Sequence, residues 1–365
     1  LKALFNEYGQ SPWLDNLRRS YITSGELVGI RSSGIRGLTS NPTIFQKAIQ
    51  GSEDYSEQFT TLVHQKLSPI DCYWQLVLRD INSALQIFEP LYESSSGLDG
   101  FVSVEVDPSL AHEQSKTLSA ARELDEQIQR PNVMIKIPAT VEGIPVIKTM
   151  ISEGRNVNVT LIFSLERYQE VIDAYIEGLE ILATTNPKLV ASVSSVASFF
   201  ISRVDTEIDR QLEQVGSDQA NDLLGTAAIN QAKLAYQMFK RSFAGPRWSK
   251  LAQLGANVQR PLWASTSTKN PKYSDTLYVD ALIGEHTVNT LPDTTVEAFS
   301  DHGSLSSTIE TNLDLANTQW AGLKKVGVDV TEVAAKLERE GVASFQKSFD
   351  ELLAALSAKT AELTK

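Results

Sequence analysis

Short apolar runs rich in Val, Ile, Leu and Phe alternate with longer segments of helical period along most of the 365 residues. The runs fall at 35–39, 101–106, 133–137, 157–163, 189–196, 262–265 and 287–291, with an eighth around Trp13-Leu14. Strands separated by helices pair in parallel. About eight of them predict an α/β fold closed as a (β/α)8 TIM barrel rather than an open sheet. Between the runs, 71–88 and 108–129 read as amphipathic helices with one exposed polar face. The stretch 205–243 is too long for one crossover helix and predicts two or three helices outside the barrel. The tail at 331–365 predicts a helical pair or a single helix broken at Gly341. Length alone allows one large barrel or two ordinary domains, but no repeat, low-complexity tract or linker divides the chain. One domain over 1–365 is therefore expected.

The polar residues that interrupt these runs carry the chemistry. Lys136 lies within Val133-Met134-Ile135-Lys136-Ile137-Pro138, a run too short for an ordinary helix and closed by proline, so it reads as a buried strand carrying one amine. Burial favours the neutral form of an amine, the form that attacks a carbonyl to give a Schiff base. A lysine that snorkels to water or pairs with a carboxylate fits the same segment. In Phe101-Val102-Ser103-Val104-Glu105-Val106-Asp107 the alternation puts Ser103, Glu105 and Asp107 on one face, which in a barrel is the interior, where a carboxylate needs a partner or a function. Asn158 and Thr160 project together from 157–163 in the same way, either to act or to satisfy neighbours. In Leu38-Thr39-Ser40-Asn41-Pro42, the asparagine precedes a proline suited to a first helical turn, so a cap or turn is its plain reading. Ser198 to Arg203, and Ser265 to Lys269, each place hydroxyls next to a cation after a predicted strand. Together they suit a phosphate, with Arg203 offering a fork of donors, Lys269 a point charge and Ser267 a neutral bond, although either cluster alone is ordinary surface chemistry.

Composition narrows the partners. Forty-five acidic against 33 basic side chains give a net charge of -12, which argues against wholesale binding to nucleic acid or an anionic membrane, so an anionic ligand must meet a local cationic pocket. No apolar run approaches the roughly 20 residues of a membrane span, and residues 1–7 carry no signal-peptide pattern. Cys72 is the only cysteine, which rules out an internal disulfide and suits a reducing cytoplasm. Beside Tyr73 and Trp74 it reads as a core residue. The four histidines are scattered without ligand spacing, and no metal site is expected.

Taken in order, Gly37-Leu38-Thr39-Ser40-Asn41-Pro42, Ile135-Lys136-Ile137-Pro138-Ala139-Thr140, Asn158-Val159-Thr160-Leu161-Ile162-Phe163-Ser164, Ser198-Phe199-Phe200-Ile201-Ser202-Arg203 and Trp263-Ala264-Ser265-Thr266-Ser267-Thr268-Lys269 resemble the successive strand-end motifs of transaldolases. The resemblance runs from about Trp13 to Asp293, and Trp13-Leu14-Asp15-Asn16-Leu17 resembles the first-strand segment of the longer bacterial branch. It implies a class I Schiff-base transferase without metal or organic cofactor, moving a dihydroxyacetone unit between sugar phosphates in the non-oxidative pentose phosphate pathway.

On that resemblance Lys136 would form the imine and Asp15 would exchange the proton of the C4 hydroxyl. Glu105, through a water held by Thr160, would shuttle protons. Asn41 and Asn158 would bind hydroxyls of the three-carbon unit, Ser198 and Phe200 would line the site, and Arg203, Ser267 and Lys269 would grip phosphate. Many family members carry arginine where this chain has Lys269, which keeps the charge and loses the fork. The related fructose 6-phosphate aldolases tend to place tyrosine at Phe200, so the phenylalanine favours transfer. A simple fructose 6-phosphate aldolase and a non-catalytic sugar-phosphate-binding barrel are the alternatives. A cytoplasmic monomer or homodimer is expected.

Overall fold

In the computed structural model, which describes residues 1–364, eight parallel strands close into a barrel in sequence order. They are β1 (Gln10–Leu14), β2 (Gly37–Thr39), β3 (Val102–Glu105), β4 (Val133–Pro138), β5 (Val157–Ile162), β6 (Ser195–Phe200), β7 (Arg260–Ala264) and β8 (Thr287–Leu291), with β1 pairing β8 to shut the ring. Every residue of β3, β4, β5 and β6 is buried, because helices cover the outside while side chains fill the inside.

The register positions the chemistry. Glu105 of β3 stands opposite Lys136 of β4, and Lys136 opposite Asn158 of β5, so three polar side chains form one lateral row across the barrel. Ser103 and Met134 make the row beneath, and Thr160 lies beside Pro138 in the row above. The opposite end is plugged. Asp99, 1% exposed, accepts from Arg36 at 2.7 Å, Arg260 at 3.1 Å and Ser11 at 2.8 Å, while the Trp13 indole packs where Gly37 has no Cβ to obstruct it. Such an arrangement at the N-terminal end of a barrel serves stability rather than chemistry.

Four expectations need correction. The sixth strand is not at 189–196. Pro187–Ser192 forms a 3-10 turn, and the strand begins only at Ser195, running through Ser198 and Phe200. The apolar run at 189–193 suits either conformation, and the Asn156 carboxamide accepting from the Ser194 amide at 2.8 Å marks where pairing to β5 starts. Asp107 leaves the interior face, because its carboxylate caps the turn Pro108–Leu110 by accepting from the Ser109 amide at 2.8 Å. The helix of 108–129 accordingly shortens to Gln114–Ile128. Gly341 breaks nothing. The C-terminal helix runs unbroken from Val330 to Leu363, and Lys365 of the expected tail lies outside the described residues. A mid-helix glycine costs about 1 kcal/mol relative to alanine, so its place in a continuous helix calls for a compensating contact.

The stretch after β6 holds the expected extra helices at Ser202–Val215, Asp218–Asn221 and Ala227–Ser242. The helix expected at 71–88 extends to Pro69–Ser94.

Candidate active site

A cavity enclosing about 450 Å³ of empty space, part of it open to solvent, lies at the strands' C-terminal mouth. Its wall includes Asp15, Thr39, Asn41, Lys136, Thr160 and Ser198, with Phe200, Arg203, Ser265 and Phe345 around them.

Lys136 stands at the floor, 5% exposed. Its amine donates to the Ser40 backbone carbonyl at 3.1 Å and lies 3.3 Å from Glu105 Oε2. That oxygen makes no aligned hydrogen bond among the described residues, so the pair is a close approach of charges with the carboxylate still able to accept. Burial pushes the Glu105 carboxyl up from its ordinary pKa, with the Lys136 ammonium opposing and Asp15 adding to the rise. Because the carbonyl of Ser40 fixes one N–H direction, the amine is oriented as well as desolvated.

Asp15 follows β1, and its Oδ1 accepts from the Thr39 hydroxyl at 2.8 Å. Asn41 caps the helix Pro42–Gln50, its Oδ1 accepting from the Ile44 amide at 3.0 Å. The cap reading is therefore right, and the same asparagine also lines the cavity. Asn158 lies just beneath: its amide donates to Ser103 Oγ at 3.0 Å and its carbonyl accepts from Ser198 Oγ at 2.7 Å, which orients the serine at the wall. The Thr160 hydroxyl is buried without a protein partner among the described residues, a group with hydrogen-bonding capacity to spare. A bulge in β5 between Val159 and Ile162, with Leu161 at φ +59°, adjusts the strand end beside it.

Arg203 begins the helix Ser202–Val215 and makes no hydrogen bond or ion pair among the described residues, which leaves its guanidinium donors free for a ligand. Burial lowers its pKa from the ordinary value, with Asp15 and Glu105 opposing. Ser267 and Lys269 stand beside the cavity rather than on its wall. The Lys269 amine donates to Ser267 Oγ at 2.6 Å and faces a neighbouring cleft with Asp209 and Tyr273. It is nevertheless within electrical reach of Arg203 and Lys47, which add to burial in lowering its pKa while Asp15 opposes. In a chain of charge -12, Arg203, Lys269 and Lys47 concentrate positive charge at one rim, above Lys136 at the floor.

Four wall residues were given no role from the sequence, although two of them lie in the motifs singled out there. Thr39 ends β2 just before Asn41 and holds Asp15 through its hydroxyl. Ser265, held at φ +58° with its hydroxyl 3.0 Å from that of Ser202, replaces Ser267 on the wall. Thr290 comes from β8, and Phe345 from the distant C-terminal helix.

A closed parallel barrel with a buried amine, a carboxylate and an unpaired guanidinium at its catalytic mouth defines a (β/α)8 enzyme for anionic substrates. Residues 12–356 match the family model for transaldolase/fructose-6-phosphate aldolase. The chain is 48% identical to the transaldolase of Saccharopolyspora erythraea, over 97% of this chain and 95% of the relative. It is 47% identical to that of Parafrankia, over 94% of each, and 45% identical to that of Mycobacterium bovis, over 96% and 95%. The chain belongs to the transaldolase/fructose-6-phosphate aldolase family.

Proposed function

We propose that this enzyme is a transaldolase acting through a Schiff base on Lys136. The observation that carries the reading is the buried Lys136–Glu105 pair at 3.3 Å beneath a cavity with a free guanidinium on its wall. The amine attacks C2 of fructose 6-phosphate or sedoheptulose 7-phosphate, and loss of water from the carbinolamine gives an iminium. Glu105, through a water held by the unpaired Thr160 hydroxyl, moves the protons of that dehydration. Asp15 then takes the C4 hydroxyl proton, the C3–C4 bond breaks, and its electron pair passes into the iminium to leave an enamine on Lys136. The aldose phosphate departs. An incoming glyceraldehyde 3-phosphate or erythrose 4-phosphate is attacked by the enamine carbon, Asp15 returns a proton to the new hydroxyl, and hydrolysis frees the lysine. Asn41 and Asn158 bind hydroxyls of the three-carbon unit, Ser198 lines the site beside Asn158, and Arg203 grips the phosphate with Lys269 and Ser267 adding charge and a donor nearby. The reaction needs no metal or organic cofactor. It belongs to the non-oxidative pentose phosphate pathway in the cytoplasm, in a monomer or homodimer.

Phe200 favours transfer over simple cleavage. Release of free dihydroxyacetone requires a proton on the enamine carbon, and an aromatic ring packed 5.1 Å from Phe163 brings no hydroxyl to that wall. With fructose 6-phosphate alone, release of glyceraldehyde 3-phosphate should therefore stop after about one equivalent per Lys136. Erythrose 4-phosphate should restore turnover and yield sedoheptulose 7-phosphate. Sustained free dihydroxyacetone without acceptor would assign the chain to the aldolase branch instead.

Arg203→Ala should lower kcat/KM for phosphorylated donors by roughly tenfold to a hundredfold, chiefly through KM, because charge-assisted bonds are worth about 1.5–3 kcal/mol and are present in both ground and transition states. Unphosphorylated fructose, a poor donor, should respond little. Equal losses with both sugars would mean that Arg203 supports the fold or the chemistry instead of the phosphate.

A further inference from the structure

Among the described residues Arg203 has no hydrogen-bond partner, and part of what surrounds it comes from the far end of the chain. Phe345 of the C-terminal helix, 4% exposed and on the cavity wall, presents its ring 5.9 Å from the guanidinium carbon, and Phe200 presents a second ring at 5.2 Å. One helical turn earlier, Gly341 faces the same rim. A Cβ there would stand 2.9 Å from Leu161 Cδ2 and 3.6 Å from Arg203 Nη1. The Leu161 methyl would have to turn aside to admit it, and the contact with Arg203 would be an ordinary van der Waals one. The glycine that the helix tolerates is thus where the helix meets the barrel's working end.

We propose that Gly341 and Phe345 are positioning residues that hold the Arg203 guanidinium at the cavity wall, so that the C-terminal helix completes the phosphate grip. The proposal rests on the reading of Arg203 as the phosphate ligand and adds what sets its geometry. A carboxylate partner could fix an arginine side chain equally well, but it would occupy the N–H donors and offset the charge that a phosphate needs. Ring faces restrict the guanidinium while leaving its edge donors unused. Fixing the fork before the ligand arrives removes ordering cost from binding. Gly341 contributes by absence: a Cβ there would shift the Leu161 methyl and come into contact with Arg203 Nη1.

The test uses the full chain, with fructose 6-phosphate and unphosphorylated fructose as donors and erythrose 4-phosphate as acceptor. Phe345→Leu, which keeps an apolar group and loses the ring, should raise KM for fructose 6-phosphate about threefold to tenfold with kcat little changed, and leave fructose unaffected. Phe345→Tyr, which keeps the ring, should restore a KM near that of the parent enzyme. Gly341→Ala should raise the same KM although alanine is the better helix former. In an Arg203→Ala background, Phe345→Leu should add nothing, because it acts through the guanidinium. An unchanged KM in Phe345→Leu, an equal effect on both sugars, or a full effect without Arg203 would overturn the inference. Should Gly341→Ala fail to fold, Phe345→Leu and the double variant decide alone. If Arg203→Ala is selective for the phosphorylated donor while Phe345→Leu is neutral, only the positioning role falls. If Arg203→Ala is unselective, the phosphate reading falls and the positioning role with it.

Discussion

Lys136→Met is expected to keep the barrel and abolish reductive trapping by borohydride in the presence of fructose 6-phosphate, with kcat lower by at least about 10⁴-fold. Methionine fills much of the same volume with a flexible apolar chain, so the floor of the cavity stays packed. The substitution removes the cation facing Glu105. That carboxyl, already pushed up by burial, then rises further and is accommodated as the neutral acid rather than as an unpaired buried charge. Mass spectrometry after borohydride treatment should show the reduced three-carbon adduct on the parent enzyme at the peptide carrying Lys136, and no adduct on the variant. Thermal unfolding followed by circular dichroism should show the variant folded. Trapping that persists in Lys136→Met would place the imine on another amine, with Lys269 the next lysine at this rim.

Glu105→Gln should cost about 10²- to 10⁴-fold in kcat, the usual range for removing a positioned proton-transfer group. The loss should fall on imine formation, so the rate of single-turnover trapping should drop with it while KM changes less. Its pH dependence follows from burial. Desolvation favours the protonated form, and the carboxylate is the form that can accept the proton the amine gives up as the carbinolamine forms, before that proton is passed to the hydroxyl that leaves as water, so falling pH removes activity as it passes through the raised pKa of Glu105. The acid limb of the kcat/KM profile should accordingly lie above the range of an exposed glutamate, to the extent that Lys136 does not pull it back, and it should vanish in Glu105→Gln. A limb unaltered by the substitution would assign it to another group.

Most of the barrel is legible in the chain because its information is local. The alternation in Val102–Glu105 and Val157–Ile162 states which residues share a face, and the proline closing Val133–Pro138 states where a strand stops. Glu105, Lys136 and Thr160 could be chosen as candidates for the same reason, each being a polar residue that an apolar strand would be expected to exclude. The sixth strand shows the limit. Leu189 to Val193 has as good a strand composition as Ser195 to Phe200, and the choice between them is made by the carboxamide of Asn156 and by register with β5, which no local pattern contains. Asp107 failed in the opposite direction, since the period-two reading continued one residue pair past the point where the backbone turns into a cap.

The sequence by itself determined the strand-helix alternation, the identity of the reactive lysine candidate and the need for a local cationic site within a chain of charge -12. Only closure of the barrel decided that Glu105, Lys136 and Asn158 share one row, because lateral register joins residues through backbone pairing between separate strands. Only the packed helix Val330–Leu363 decided that Gly341 is a point of contact and that Phe345 belongs to the site. A helix-forming segment specifies its own backbone through near neighbours, whereas the surface it meets is chosen by shape and burial across the whole fold.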